Sequence, residues 1–88
     1  MPVTVTVPPP LLRLFPGAEH RLVVSADTVA EAIDALDARR PGMRDRLCLP
    51  TPSQRRQINV FVDGRKATLT TPLQDGDEVV ILLALVGG

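Results

Sequence analysis

Alternating apolar and polar residues near the start of the chain predict a β-hairpin. Valines alternate with threonines over residues 3–7, a period of two that is typical of a strand with one face in the core. Three prolines at residues 8–10 end this strand, because proline cannot continue a hydrogen-bonded ladder. We expect a loop over residues 11–17 and a second strand at residues 21–24 that pairs back on the first.

The next segment carries the start signal of a helix, followed by a helical period. Thr28 is a natural N-cap, and Glu31 completes a capping box in which each side chain bonds a backbone N–H. The apolar residues then recur at i, i+3, i+4 and i+7, which predicts one buried stripe opposite a charged side. These residues are Val29, Ala32, Ile33 and Leu36. Pro41 and Gly42 end the helix.

A connection and a second hairpin follow. Residues 43–57 carry weak signals, which we interpret as a short helical turn at Met43–Leu47 and then a loop. Residues 58–62 alternate again and lead directly into Asp63-Gly64, a strong signal for a two-residue hairpin turn. We therefore expect Arg65–Ala67 to form a short returning strand.

The last part of the chain predicts a central strand and completes a known architecture. A turn at residues 75–77 precedes residues 78–83, whose apolar run is too continuous for a solvated edge strand. The order hairpin, helix, two strands and a last strand is that of the α+β β-grasp (ubiquitin-like) fold, with one helix packed across one face of a mixed sheet of four to five strands. We predict one domain, residues 1–88, with a flexible C-terminal tail at residues 84–88.

Composition and charge exclude several classes of function. Ten basic and ten acidic residues balance, and the arginines do not form the basic stripe that nucleic acid binding requires. No apolar run reaches the roughly 18 residues of a membrane span, and the N-terminus lacks the pattern of a signal peptide. We expect a cytoplasmic protein with no nucleic-acid partner and no membrane partner.

The chain has one cysteine and one histidine, which are few candidates for catalytic residues. Cys48 lies between two leucines, and we interpret it as a small, half-buried apolar residue that forms neither a disulfide nor a metal site. His20 is expected at the surface. Because these two residues do not provide a nucleophile–base pair, we predict no catalytic residues, no metal, no bound cofactor and no enzymatic activity.

The end of the chain carries the most specific pattern. Asp75-Gly76-Asp77-Glu78-Val79 leads through one strand to Gly87-Gly88, and this ending resembles that of the MoaD/ThiS family of bacterial sulfur carriers. The residues at 27–29 and 59–64 are also similar to that family. The opening at residues 7–13 and the long connection before the third strand are more similar to the carriers that supply sulfur for cysteine synthesis than to the small subunit of molybdopterin synthase.

The resemblance implies a role for the terminal carboxylate of Gly88. An E1-like adenylating enzyme of the MoeB/ThiF type would adenylate it with ATP, and sulfur from a donor would replace AMP to give a thiocarboxylate. A sulfur-accepting biosynthetic enzyme would then take the sulfur for cysteine, molybdopterin, thiamine or another sulfur-containing metabolite. Residues without a Cβ suit a narrow channel, and an extended five-residue tail reaches about 17 Å. The tail residues are Ala84, Leu85, Val86, Gly87 and Gly88.

Strand alternation also predicts a partner-binding surface. Phe61, Val80 and Leu82 should lie together on the face of the sheet that does not meet the helix, and an apolar patch on a small domain usually marks a binding site. Leu83, Leu85 and Val86 would extend this patch towards the tail. Alternatively, the patch is a self-association surface, or a loop partly covers it. The residues predicted to face the helix are Ile58, Val60, Val62, Val79 and Ile81.

Two other function classes stay open. A ubiquitin-like modifier would be joined through Gly88 to lysines of other proteins by the same activation chemistry. Lys66 is the only lysine, which restricts chain building to that residue or the N-terminus and favours the carrier. A β-grasp regulatory or RNA-binding module of a larger protein would show a basic or ligand-binding surface and has no need for a terminal diglycine.

Overall fold

The computed structural model describes residues 2–48 and 58–83. Five strands and three helices lie in these ranges. In chain order they are β1 (Pro2–Thr6), α1 (Pro9–Leu14), β2 (Arg21–Ser25), α2 (Val29–Arg39), α3 (Met43–Leu47), β3 (Ile58–Val62), β4 (Arg65–Ala67) and β5 (Glu78–Leu83). Within these ranges no helix is long and apolar enough to cross a membrane.

The strands form one mixed sheet in the order β2-β1-β5-β3-β4. The pair β1–β5 is parallel, whereas β1–β2, β3–β5 and β3–β4 are antiparallel. β5 is therefore the central strand, as its apolar run predicts. A five-stranded mixed sheet with helices packed on it confirms the predicted β-grasp class.

The core lies between the sheet and α2. Alternate residues of the central strands are buried, among them Val5, Val60 and Ile81, whereas Val62 at the end of β3 is only half-buried. The four-residue stripe of α2 is buried as predicted. No polar or charged side chain is buried among the described residues. Within the described ranges the core consequently consists of apolar side chains, most of them aliphatic.

The start of α2 confirms the predicted capping box, with one difference. The Thr28 Oγ1 accepts the backbone N–H of Glu31 at 3.2 Å, as expected for an N-cap. The Glu31 Oε1 accepts the N–H of Asp27 at 3.0 Å, one residue before the cap. The first backbone N–H groups of α2 donate to the loop between β4 and β5. The Val29 N–H, for example, donates to the Thr71 carbonyl at 3.1 Å. The helix start thus holds the loop that leads to β5.

The loop predicted after β1 is wrong, because residues 9–14 form α1. Pro8 is the N-cap in an extended conformation, and proline occupies the first turn of α1. Proline is tolerated there because the first N–H groups of a helix have no intrahelical partner. Leu11, only 4% exposed, attaches α1 to the core.

The connection after α2 contains the predicted helical turn, α3, whose Met43 and Leu47 are buried. The Asp37 Oδ1 accepts the N–H groups of Gly42 and Arg44 at 3.1 and 3.0 Å and joins the two helices. Cys48 is buried more completely than the half-buried position predicted for it. His20 is at the surface, as expected.

Candidate functional site

The central strand β5 leads directly to the predicted reactive tail. Its last residues pair with the start of β3, Leu82 opposite Asn59 and Leu83 opposite Ile58. The tail itself lies outside the described residues, so its predicted role remains a prediction. This applies to Ala84, Leu85, Val86, Gly87 and Gly88.

The three residues predicted as a partner-binding surface are brought together on one face of the sheet. Phe61 lies opposite Val80 on the neighbouring strand, and Leu82 follows Val80 by two residues, so it has the same orientation. Val60 and Ile81, which alternate with them, are buried on the helix side. The predicted division of faces is therefore confirmed. We call the face that carries Phe61, Val80 and Leu82 the open face.

The apolar patch on the open face is smaller than predicted. Leu82 is 47% exposed, but Phe61 and Val80 are half-buried because side chains of directly opposed residues cover one another. Leu83 does not extend the patch, since it lies on the other face and packs against the core. Val23 of β2 is 56% exposed. Its pairing with Thr4 places it on the open face, a contribution that the sequence prediction missed.

Two turns fix the register of this surface. Asp63 and Gly64 both have positive φ, 50° and 85°, which is the backbone a two-residue hairpin turn requires. The Asp63 N–H donates to the Glu78 carbonyl at 2.9 Å, and the Asp63 Oδ1 accepts the Glu78 N–H at 2.9 Å. These two hydrogen bonds join the β3–β4 turn to the first residue of β5 and hold Phe61 opposite Val80.

The turn before β5 is tied to the N-terminal strand. The Gly76 N–H donates to the Pro2 carbonyl at 2.8 Å, and the Thr4 N–H donates to the Asp77 carbonyl at 3.0 Å. The Asp77 Oδ2 also accepts the Gln74 N–H at 2.8 Å. The motif at residues 75–79 therefore positions the strand that carries the tail.

Exposed charges surround the apolar patch. The Arg21 Nη2 lies 3.3 Å from the Glu78 Oε1, and both side chains are more than half exposed. Lys66 is exposed and lies opposite Phe61. Within residues 2–48 and 58–83, no group of His, Cys, Asp or Glu side chains is arranged to hold a metal ion.

Sequence and structure comparisons both find CysO proteins. Sulfur carrier protein CysO of Mycobacterium tuberculosis is 34% identical in an alignment of 94 positions that covers 100% of both chains. A chain in the crystal structure of the Amycolatopsis orientalis BexX/CysO complex is 34% identical, with a TM-score of 0.84 and coverage of 98% of this chain and 99% of that chain. SAMP1 of Haloferax volcanii is 25% identical, with a TM-score of 0.80 over the full length of both chains. A sequence model of the ThiS family matches residues 11–88, and the chain therefore belongs to the ThiS family.

Proposed function

We propose that this chain is a sulfur carrier whose reactive group is the C-terminal carboxylate of Gly88. The observation that carries the proposal is the extent of the similarity. The family match runs through residue 88, and the alignment with the sulfur carrier CysO covers all of both chains. The described residues contribute a surface and the central strand that precedes residues 84–88.

The chemistry requires activation, because a carboxylate is a poor electrophile. An E1-like enzyme of the MoeB/ThiF type joins the Gly88 carboxylate to the α-phosphate of ATP and releases pyrophosphate. A sulfur donor then forms the new carbon–sulfur bond, AMP leaves, and Gly88 carries a thiocarboxylate. The carrier is a co-substrate in both steps and uses no catalytic side chain of its own.

The open face provides recognition while the tail provides reach. Val80 and Leu82 are held in register on the strand that precedes the tail. An extended tail of five residues reaches at most about 17 Å, so a partner that binds the open face can accept Gly88 in a recessed site. The assignment of Phe61, Val80 and Leu82 to partner binding rests on this geometry. The A. orientalis CysO structure is that of a complex with BexX, which supports a protein partner for this chain.

Cysteine synthesis is the acceptor pathway that we favour. Full-length similarity to CysO agrees with the cysteine-type opening at residues 7–13. In the structure most of this opening lies in α1, which is attached to the core through Leu11. The sulfur of the thiocarboxylate would form a bond to the acceptor substrate, and water would then cleave the bond to the Gly88 carbonyl carbon, which returns the Gly88 carboxylate for another cycle.

A ubiquitin-like modifier is the second candidate. Similarity to SAMP1 of H. volcanii, which belongs to a group called small archaeal modifier proteins, is the observation that favours it. The same adenylate would then be attacked by a lysine amine of a target protein, giving an amide in place of a thiocarboxylate.

Intact-mass spectrometry tests the carrier proposal and separates it from the second candidate. The full chain is incubated with a MoeB/ThiF-type enzyme, ATP and a sulfur donor. We expect its mass to rise by the difference between one sulfur and one oxygen atom, and only when ATP is present. An unchanged mass with several active E1-like enzymes would contradict the carrier function, and adducts on protein lysines would favour the modifier.

A further inference from the structure

One row of side chains crosses all five strands of the open face. Thr6 pairs with Arg21 on one side and with Val80 on the other. Phe61 pairs with Val80 on one side and with Lys66 on the other. The row is therefore Arg21, Thr6, Val80, Phe61 and Lys66. With strands about 4.8 Å apart, its two ends are separated by roughly 19 Å.

The row has a cation at each end and an apolar centre. The side chains of the row all lie on the open face, because their neighbours along the strands lie on the core side. Val5 and Val7 on either side of Thr6 are buried, and so is Ala67 beside Lys66. Val80 and Phe61 form the centre, and Leu82 adjoins it. Recognition on this face therefore combines an apolar contact with two positive positions.

The two cations differ in their surroundings. Glu78 is the one carboxylate that the described strands place on the open face, and it pairs with Arg21 at 3.3 Å. Such an exposed pair contributes little stability, so Arg21 can exchange Glu78 for a carboxylate of a partner. Lys66 forms no ion pair with a described residue, and its charge is left for a partner to neutralise.

We propose that the partner protein of the open face has an apolar centre flanked by carboxylates, and that the carboxylate facing Lys66 makes the largest charge-dependent contribution. The proposal rests on the proposed carrier function, because the partner in question is the enzyme that activates Gly88. Complementary charges at the edge of an apolar contact mainly raise the association rate and exclude wrong partners. They would orient the carrier so that its tail points at the active site.

A second copy of this chain is a poor occupant of the open face. When two such faces stack with aligned strands about a two-fold axis, the row lies either over itself or over its reverse. In the first case Arg21 meets Arg21, and in the second Arg21 meets Lys66. Like charges then oppose each other at both ends of the row, which disfavours self-association.

A pair of charge reversals on adjacent residues tests the proposal. Lys66→Glu changes the open face, whereas Arg65→Glu makes the same change one residue earlier on β4, on the opposite face, where Arg65 is also exposed. Association with the MoeB/ThiF-type enzyme is measured by stopped-flow fluorescence at low and high salt. We expect Lys66→Glu to slow association about tenfold at low salt, with little difference at high salt because the charges are screened. Arg65→Glu should associate like the unmodified chain, and Lys66→Arg should restore the rate.

Each remaining outcome has a defined meaning. Equal rates for Lys66→Glu and Arg65→Glu would overturn the charge proposal, while sulfur transfer to the unmodified chain in the mass assay would leave the carrier function standing. A concentration-dependent dimer in sedimentation that Lys66→Glu strengthens would instead assign the face to a second copy. Competition by a single-stranded oligonucleotide would assign it to nucleic acid and overturn the proposal. If the unmodified chain gains no sulfur, both proposals fall together.

Discussion

Neighbouring side chains on β5 have opposite surroundings, and this difference separates stability from recognition. Ile81 is 1% exposed in the core, whereas Leu82, the next residue, is 47% exposed on the open face. The same alternation distinguishes Val60 from Phe61 on β3. Because the side-chain period of a strand is two, a slip by one residue would exchange the faces. Substitutions at a core-facing and at an open-face residue therefore test the strand register directly.

Ile81→Ala and Phe61→Glu should have contrasting effects. Truncating a fully buried aliphatic side chain lowers the free energy of unfolding by about 2–5 kcal/mol. Ile81→Ala should therefore unfold at a lower urea concentration, while the protein that stays folded should still bind its partner. Phe61 is only half-buried, so Phe61→Glu should weaken partner affinity more than stability. Urea unfolding curves and partner dissociation constants measure both effects. A stable Ile81→Ala that does not bind, with an unfolded Phe61→Glu, would invert the assignment of faces.

At the scale of elements, the sequence patterns predicted α2 and the strands but not α1. The stripe on α2 has a period of 3.6 and the alternation on β3 has a period of two, while the continuous apolar run of β5 is typical of a central strand. α1 has six residues, and its prolines indicate the end of a strand and the first turn of a helix equally well. Only contact with the core, through Leu11, decides between these alternatives. The partial burial of Phe61 was missed for a related reason, because it depends on the neighbour across the sheet.

The N-cap of α2 gives a prediction at the same scale. Thr28→Ala removes the Oγ1 that accepts the Glu31 N–H at 3.2 Å and should cost about 1 kcal/mol of stability. Thr28→Ser keeps the oxygen and is the matched control, with most of the stability retained. Thermal unfolding monitored by circular dichroism measures both variants. Equal destabilisation by alanine and serine would show that the threonine methyl group, not the hydroxyl, stabilises the helix start.

At the scale of the whole molecule, the order of the strands depends on contacts between distant segments. The parallel pair β1–β5 brings Val5 beside Val79, and local patterns do not specify which strands become neighbours. The order of the predicted elements supplied the architecture, because it is the order of the β-grasp fold. The tail lies outside the described residues, so its chemistry comes from family membership. The positions of Lys66 and Arg21 on one row with Phe61 emerged only from the register.

Deleting Gly88 should separate folding from function. All five described strands and the described core residues lie before residue 84, and the last residue of a chain is usually dispensable for stability. We therefore expect an unchanged melting temperature but no gain of sulfur with a MoeB/ThiF-type enzyme, ATP and a sulfur donor. Ala84→Ser keeps the tail length and both terminal glycines, and it should still be converted. Sulfur on the truncated chain would place the reacting group elsewhere, and a large fall in its melting temperature would show that the tail stabilises the fold.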